Sequence, residues 1–232
     1  MISACIGFHP AAASETTPIP AVGTRIDLDD FLIDATEVTI GQFADYAAKR
    51  NVKTAAEREG GGFEYGSGWE RRPGWTYRTP FGQRATADEP AVHISWFEAK
   101  AYCEHAGGSL PTQAQWKKAA YTEMRKSPPK PFESGRTYPF PTGDTPEGAN
   151  IAGSADGWQR HAPAGRTPPG VNGLHDMGAN VWEWLADVRG NDRLTAGGSW
   201  WYDASKMRVE GMQFKPADFY AVYVGFRCAY RK

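Results

Sequence analysis

The sequence predicts an α+β chain with little regular secondary structure, and three observations carry that prediction. Three capping boxes each open an apolar repeat at helical spacing, and short β-rich runs lie between and after them. A content of 26 Gly, 17 Pro and nine Trp in 232 residues describes long loops pinned by aromatics, which a disordered chain would lack.

In chain order, residues 1–24 read as a signal-like remnant and linker. Met1 to Phe8 is apolar and small, Ala11-Ala-Ala13 before Ser14-Glu15 resembles a secretory cleavage site, and Ile2-Ser-Ala-Cys5 resembles a lipoprotein box. No charged n-region precedes them, so a clipped signal and an ordinary flexible terminus both remain open. Thr39 with Gln42 then opens a helix carrying Ile40, Phe43, Ala44 and Ala47. Residues 59–87, dense in Gly and carrying Trp69, Trp75, Tyr77 and Phe81, are expected to pack as an ordered loop over the core. Residues 91–95 are β-rich, and Ser95 with Glu98 starts a second helix bearing Trp96, Ala99, Cys103 and Ala106 before Gly107 ends it. Thr112 with Gln115 starts a third, with Trp116, Ala119 and Ala120 on one face, and residues 220–224 form the last β-rich run.

Composition excludes several functions. A net charge of −1 with dispersed Lys and Arg gives no footprint for nucleic acid, and Arg71-Arg72 near Arg78 is too short to make one. No apolar run approaches a membrane span. The five histidines (His9, His93, His105, His161, His175) show no facial-triad spacing, and His93 in an apolar run reads as a core histidine.

The chemistry-bearing stretch is residues 173–184, where Asp176, Asn180 and Glu183 alternate with Trp182 and Trp184; Gly197-Gly-Ser-Trp200 and Gly225-Phe-Arg-Cys228 follow. Hard oxygen donors between large aromatics suit a buried Ca²⁺, whereas solvated acids on a surface turn would leave the Trp unexplained.

These blocks, with Glu37-Val-Thr-Ile-Gly-Gln-Phe43, Pro90-Ala-Val-His-Ile-Ser-Trp96, Ala101-Tyr-Cys103, Gly107-Gly-Ser-Leu-Pro-Thr-Gln-Ala-Gln-Trp116 and Ala149-Asn-Ile151, resemble the formylglycine-generating-enzyme (sulfatase-modifying-factor) family in its own order. The resemblance implies one α+β domain over residues 25–232 with a C-type-lectin-like core. It also implies a disulfide between Cys103 and Cys228; two buried free thiols are the alternative, and Cys5 is left over. It implies structural Ca²⁺ in two sets: Asn150, Ile151, Asp156 and Trp158, then Asp176, Ala179, Val181 and Glu183. In the second set Gly178-Ala179 departs from the family's usual His or Val followed by Gly, and Ala is the less permissive backbone.

The decisive departure is in the catalytic region. The family's two copper-binding cysteines fall at Tyr202 and Met207, which supply no thiolate, so neither copper nor formylglycine formation is expected. Arg71-Arg-Pro-Gly-Trp75, Tyr138-Pro-Phe-Pro-Thr-Gly-Asp144, Gly198-Ser-Trp-Trp-Tyr202 and Lys215-Pro216 resemble a cysteine-free branch, the periplasmic pyoverdine-maturation proteins. That likeness implies a periplasmic or secreted, monomeric tailoring oxidase of an aromatic or catecholic siderophore precursor. The alternative is a non-catalytic lectin-like module that binds a peptide or glycan. Trp200, Trp201, Tyr202, Arg208 and Glu210 stand in for the catalytic region. Glu210 is the candidate acid/base; a structural pairing with Arg208 or Lys215 is the bland reading. The expected partner is a small aromatic molecule or peptide.

Overall fold

The structure, a computed structural model, describes residues 19–232; the signal-like stretch up to residue 18, including Cys5, lies outside the described residues. All three expected helices form on the expected caps. α1 (Ile40–Arg50), a short α2 (Ala55–Arg58), α3 (Trp96–His105) and α4 (Gln113–Tyr121) each begin at a reciprocal capping box, on Thr39, Thr54, Ser95 and Thr112. The box at Thr54 and Glu57 was not foreseen, since only four helical residues follow it.

The strands are β1 (Arg25–Asp27), β2 (Phe31–Asp34), β3 (Gly61–Tyr65), β4 (Trp69–Pro73), β5 (Trp182–Arg189), β6 (Asp192–Ala196), β7 (Gln213–Pro216), β8 (Val224–Gly225) and β9 (Ala229–Arg231). They make a three-stranded sheet in the order β1-β2-β9, a hairpin β3-β4, and a four-stranded sheet in the order β7-β6-β5-β8.

The four-stranded sheet sorts the core. Trp184 faces Thr195 and Thr195 faces Gln213, so Trp182, Trp184, Thr195, Gln213 and Lys215 share one face by the period-two rule. Glu183, Leu194 and Phe214 take the other. The first face packs into a core with Phe43, Tyr77, Ile94, Tyr102 and Phe226; the second packs against Phe31, Ile33, Trp116 and Leu174. Several buried indoles are tied by their N–H groups, whereas those of Trp182 and Trp200 meet no partner among the described residues. Trp184 donates to the Ile94 carbonyl at 2.9 Å and Trp96 to that of Leu185 at 2.7 Å.

Two expectations change. Residues 91–95 form no ladder strand, and of residues 220–224 only Val224 joins one, as the first residue of β8. The backbones do meet, with His93 N–H donating to the Ala221 carbonyl at 3.1 Å. His93, however, sits at φ 56°, which breaks the extended run. Its ring lies against Gly62, where a Cβ would fall 2.1 Å from Nδ1, so no larger residue fits there. Residues 59–87 are not loop throughout: β3 and β4 pair from Gly61↔Pro73 to Tyr65↔Trp69, and the basic pair Arg71 and Arg72 bridges to Glu59, Glu64 and Glu70 on and beside this hairpin.

Between α4 and β5 the chain is almost free of regular elements, and side chains take over the duty of satisfying its backbone. Asn172 donates to the Ala119 and Thr122 carbonyls at 2.8 Å each, while buried Glu123 accepts from Asn172 N–H at 3.1 Å and from Arg125.

Cys103 on α3 is bonded to Cys228 just before β9, with Cα atoms 5.5 Å apart and a sequence separation of 125. On chain entropy a loop of that length contributes about 4–5 kcal/mol. Reduction, or a Cys103→Ala/Cys228→Ala double variant, is expected to lower the unfolding free energy by about that amount in denaturant titration. Thiol titration of the denatured, unreduced protein should detect neither cysteine.

Candidate functional site

A cavity of about 440 Å³ opens on the first face of the four-stranded sheet. Phe63 and Trp69 of the hairpin line it, with Trp182 of β5, Tyr202, Lys215 of β7 and Tyr223. The hairpin is held at its place by hydrogen bonds, since the Tyr223 hydroxyl accepts from Tyr65 N–H at 3.2 Å and donates to the Tyr65 carbonyl at 3.3 Å. Trp69 packs edge-on to Phe219, and Tyr202 edge-on to Trp182 with ring centroids 5.7 Å apart.

Lys215 is the basic side chain of this pocket. The sheet alternation throws it across the face, where Nζ donates to Thr195 Oγ1 at 2.8 Å and Gln213 Oε1 at 3.2 Å and lies 4.0 Å from the Trp182 ring centroid. Burial of the amine, and to a lesser extent the charge of Lys206, pushes its pKa down to about 7. The Trp182 face works in the opposite sense, because a π face favours the ammonium. Tyr202 is shifted upward by burial and stays a neutral phenol. The site therefore offers a largely apolar aromatic slot, one amine that changes charge near neutrality, and one phenol that does not.

The expected catalytic set is only partly brought together. Tyr202 lines the pocket, and Trp201 packs beside it with its ring tilted against Tyr223 at 5.7 Å while remaining 44 % exposed. Glu210 and Arg208 are elsewhere. They line a second cleft with Lys117, Tyr121 and Tyr138, and Arg208 lies over the Phe140 ring. After Tyr202 the chain runs through two 3₁₀ turns, Ala204–Met207 and Val209–Gly211, with Gly211 pressed against the Lys206 backbone, and these carry Glu210 away from the aromatics. Glu210 forms no salt bridge with Arg208 or Lys215 either. The basic side chain of the pocket is thus Lys215, which sequence reading treated only as a family-matching position and as a possible pairing partner for Glu210.

The two Ca²⁺ sets fare differently. In the first, Asn150 is buried and its amide donates to the Arg160 carbonyl at 2.8 Å and to Asn180 Oδ1 at 3.1 Å. Asp156 Oδ1 accepts from Trp158 N–H at 3.0 Å, while Asp156 Oδ2 and the neighbouring Ser154 Oγ are buried without a partner among the described residues. An orphaned carboxylate oxygen is what a hard cation satisfies, and the remaining expected ligands are the Ile151 and Trp158 carbonyls, so this set fits Ca²⁺.

The second set does not fit. Asp176 is filled by Thr167 Oγ1 at 2.5 Å and Gly165 N–H at 2.7 Å. Glu183 is filled by Arg227, at 2.7–2.9 Å, and by Trp116 Nε1 at 2.8 Å. The compensating charge beside Glu183 is a guanidinium. Val181 presents its N–H to buried Glu37 at 3.1 Å. Ala179 sits at φ 70°, a left-handed conformation that costs an alanine roughly 1–2 kcal/mol and explains why the family favours Gly there. Glu37, which sequence reading passed over as a functional group, is fully buried. Its pKa stands well above the carboxylate range through desolvation, reinforced by Asp176 and Glu183.

A copper site does not fit either. Tyr202 points into the aromatic pocket, whereas Met207 is buried with Phe140, Ala149 and Ala179 in a separate cluster, and neither carries a thiolate. His93 is a buried, neutral histidine with a pKa lowered by burial to about 4, hydrogen-bonded through Nε2 to the Pro80 carbonyl. His161 pairs with Glu89 at 2.9 Å.

The sulfatase-modifying factor enzyme 1-like domain matches residues 8–232, and the chain belongs to that family. It is 26 % identical to the formylglycine-generating enzyme of Mus musculus over 96 % of this chain and 77 % of that protein. It is 27 % identical to hercynine oxygenase of Mycobacterium tuberculosis over 88 % of this chain and 53 % of that one. Among solved structures, PvdO from Pseudomonas aeruginosa shares the fold with a TM-score of 0.64, at 20 % identity over 87 % of this chain and 80 % of that chain.

The buried Arg227–Glu183 pair yields a direct test. Arg227→Met leaves Glu183 charged and unpaired in the interior and is expected to cost about 3–5 kcal/mol in unfolding free energy. Adding Glu183→Gln to that variant should recover part of the loss.

Proposed function

We propose that this chain carries out an oxidative tailoring step on an electron-rich aromatic group, a phenol or catechol such as that of a siderophore precursor, with Lys215 as the proton acceptor. The observation that carries this reading is an amine with a pKa of about 7 inside an aromatic pocket. The slot is wide enough for one substituted ring, and its walls supply stacking and edge contacts. Neutral Lys215 removes a phenolic proton, and the resulting phenolate is a better electron donor than the phenol. A catechol then loses two electrons and two protons to become an o-quinone, and O₂ takes both pairs to become hydrogen peroxide. The kinship with an enzyme named as an oxygenase supports an oxidative role. The Cys103–Cys228 bond supports an exported, periplasmic or secreted setting, where disulfides persist.

Oxygen uptake and quinone absorbance with 4-methylcatechol measure the reaction. Lys215→Met is expected to lower kcat/KM by about 10²-fold or more, the usual contribution of a general base. Glu210→Gln should leave it unchanged. Because the base acts only when neutral, activity rises with pH through about 7 and levels off above it. A second reading rests on Trp69 and Trp201, which stand 49 % and 44 % exposed and offer stacking faces to a peptide or glycan. Tight binding of a catechol with no oxygen uptake would put that binding module in place of the oxidase.

The same proposal assigns a structural Ca²⁺ to Asn150, Asp156 and the carbonyls of Ile151 and Trp158, where it would neutralise the orphaned carboxylate oxygen and stiffen the loop. With Ca²⁺ at a hundred times its Kd, the ion adds about 2.7 kcal/mol, so EGTA should lower Tm by roughly 5–10 °C. Asp156→Ala should lack this response. An EGTA-insensitive wild type, with no Ca²⁺ in elemental analysis, would remove the ion from the scheme.

A further inference from the structure

The hydrogen bonds around Lys215 point to a second chemistry. A neutral amine has two N–H bonds and one lone pair. Thr195 Oγ1 and Gln213 Oε1 take up both N–H bonds. Among the described residues the third tetrahedral position meets no acceptor, only the face of Trp182 and the cavity. Both acceptors are fixed, since Thr195 and Gln213 are register partners on adjacent strands and the Thr195 hydroxyl itself donates to the Gln213 carbonyl at 2.9 Å. The amine is therefore aimed, and its lone pair has no competing partner.

We infer that Lys215 captures carbonyl compounds covalently, forming an imine with an aromatic aldehyde or ketone that enters the pocket. The amine adds to the carbonyl carbon, forming a C–N bond as the carbonyl π bond breaks, and a proton moves from nitrogen to oxygen. The carbinolamine then loses its hydroxyl as water and the C=N bond forms, with no change of oxidation state. Tyr202, a neutral phenol that lines the same pocket, is a proton source for this step. A lysine stripped of its hydration in an apolar pocket is the form that makes Schiff bases, whereas exposed lysines remain ammonium ions at neutral pH. This capture does not require the oxidative step.

The test uses the intact chain with 4-hydroxybenzaldehyde and cyanoborohydride at pH 7, followed by peptide mapping. One reduced adduct is expected on Lys215, forming about tenfold or more faster than on any other lysine, because the neutral fraction of an ordinary lysine is smaller by about 10³. Lys215→Met should lose that adduct while its Tm stays near the wild-type value. If the variant does not fold, wild-type mapping with and without excess 4-methylphenol as a pocket competitor decides instead. An adduct on Lys215 that the phenol suppresses supports capture, and labelling spread evenly over surface lysines overturns it. Catechol oxidation with no Lys215 adduct would overturn capture alone, and an adduct without oxygen uptake would overturn the oxidase alone.

Discussion

The fold depends on one buried ion pair. Arg227 is wholly enclosed and meets Glu183 at 2.7–2.9 Å, the Asp34 carbonyl at 3.1 Å and the His175 carbonyl at 2.8 Å. Glu183 in turn accepts from Trp116 of α4. One guanidinium thus joins β2, the irregular chain near residue 175, β5 and the C-terminal segment. A single ion left in that interior would cost several kcal/mol, so each partner holds its place only because the other does. The disulfide at the next residue closes the same region covalently.

The functional pocket follows from that constraint through the pleat of β5. Glu183 turns to the ion pair, so Trp182 and Trp184 must turn to the opposite face, and Trp182 becomes a wall of the cavity. Across β6 and β7 the same alternation brings Thr195, Gln213 and Lys215 up beside it. The strand that secures the core and the strand face that displays the chemistry are therefore the two sides of one backbone. What distinguishes this pocket from a piece of core is the hairpin β3-β4, whose aromatics cover it without filling it.

The helices were legible in the sequence because a capping box is local: Thr39 with Gln42, Ser95 with Glu98 and Thr112 with Gln115 each declare a helix start within four residues. The family was legible because many blocks occur in order. The β-rich run at 91–95 misled because His93 takes a left-handed turn and packs its ring on Gly62, 31 positions away, and nothing nearby in sequence records that contact. The same limit applies to charge. Glu183 could be read as a cation ligand because its guanidinium partner lies 44 positions downstream. Glu210 looked like the base because it follows Trp201 and Tyr202 closely, but two 3₁₀ turns separate them in space, while Lys215 reaches the site by strand register. Ala179 was recognised as an unfavourable residue for its position, and its φ of 70° bears that out.

The walls of the pocket come from distant parts of the chain, residues 63–69 and 182–224, and meet only when the hairpin has docked on the sheet. Before that, Lys215 is a hydrated ammonium like any other, with the basicity of a free lysine. Its altered acidity is conferred by that docking and vanishes with the native state. An unfolded chain therefore lacks the lowered basicity at this position. Reactivity here doubles as a certificate of correct assembly.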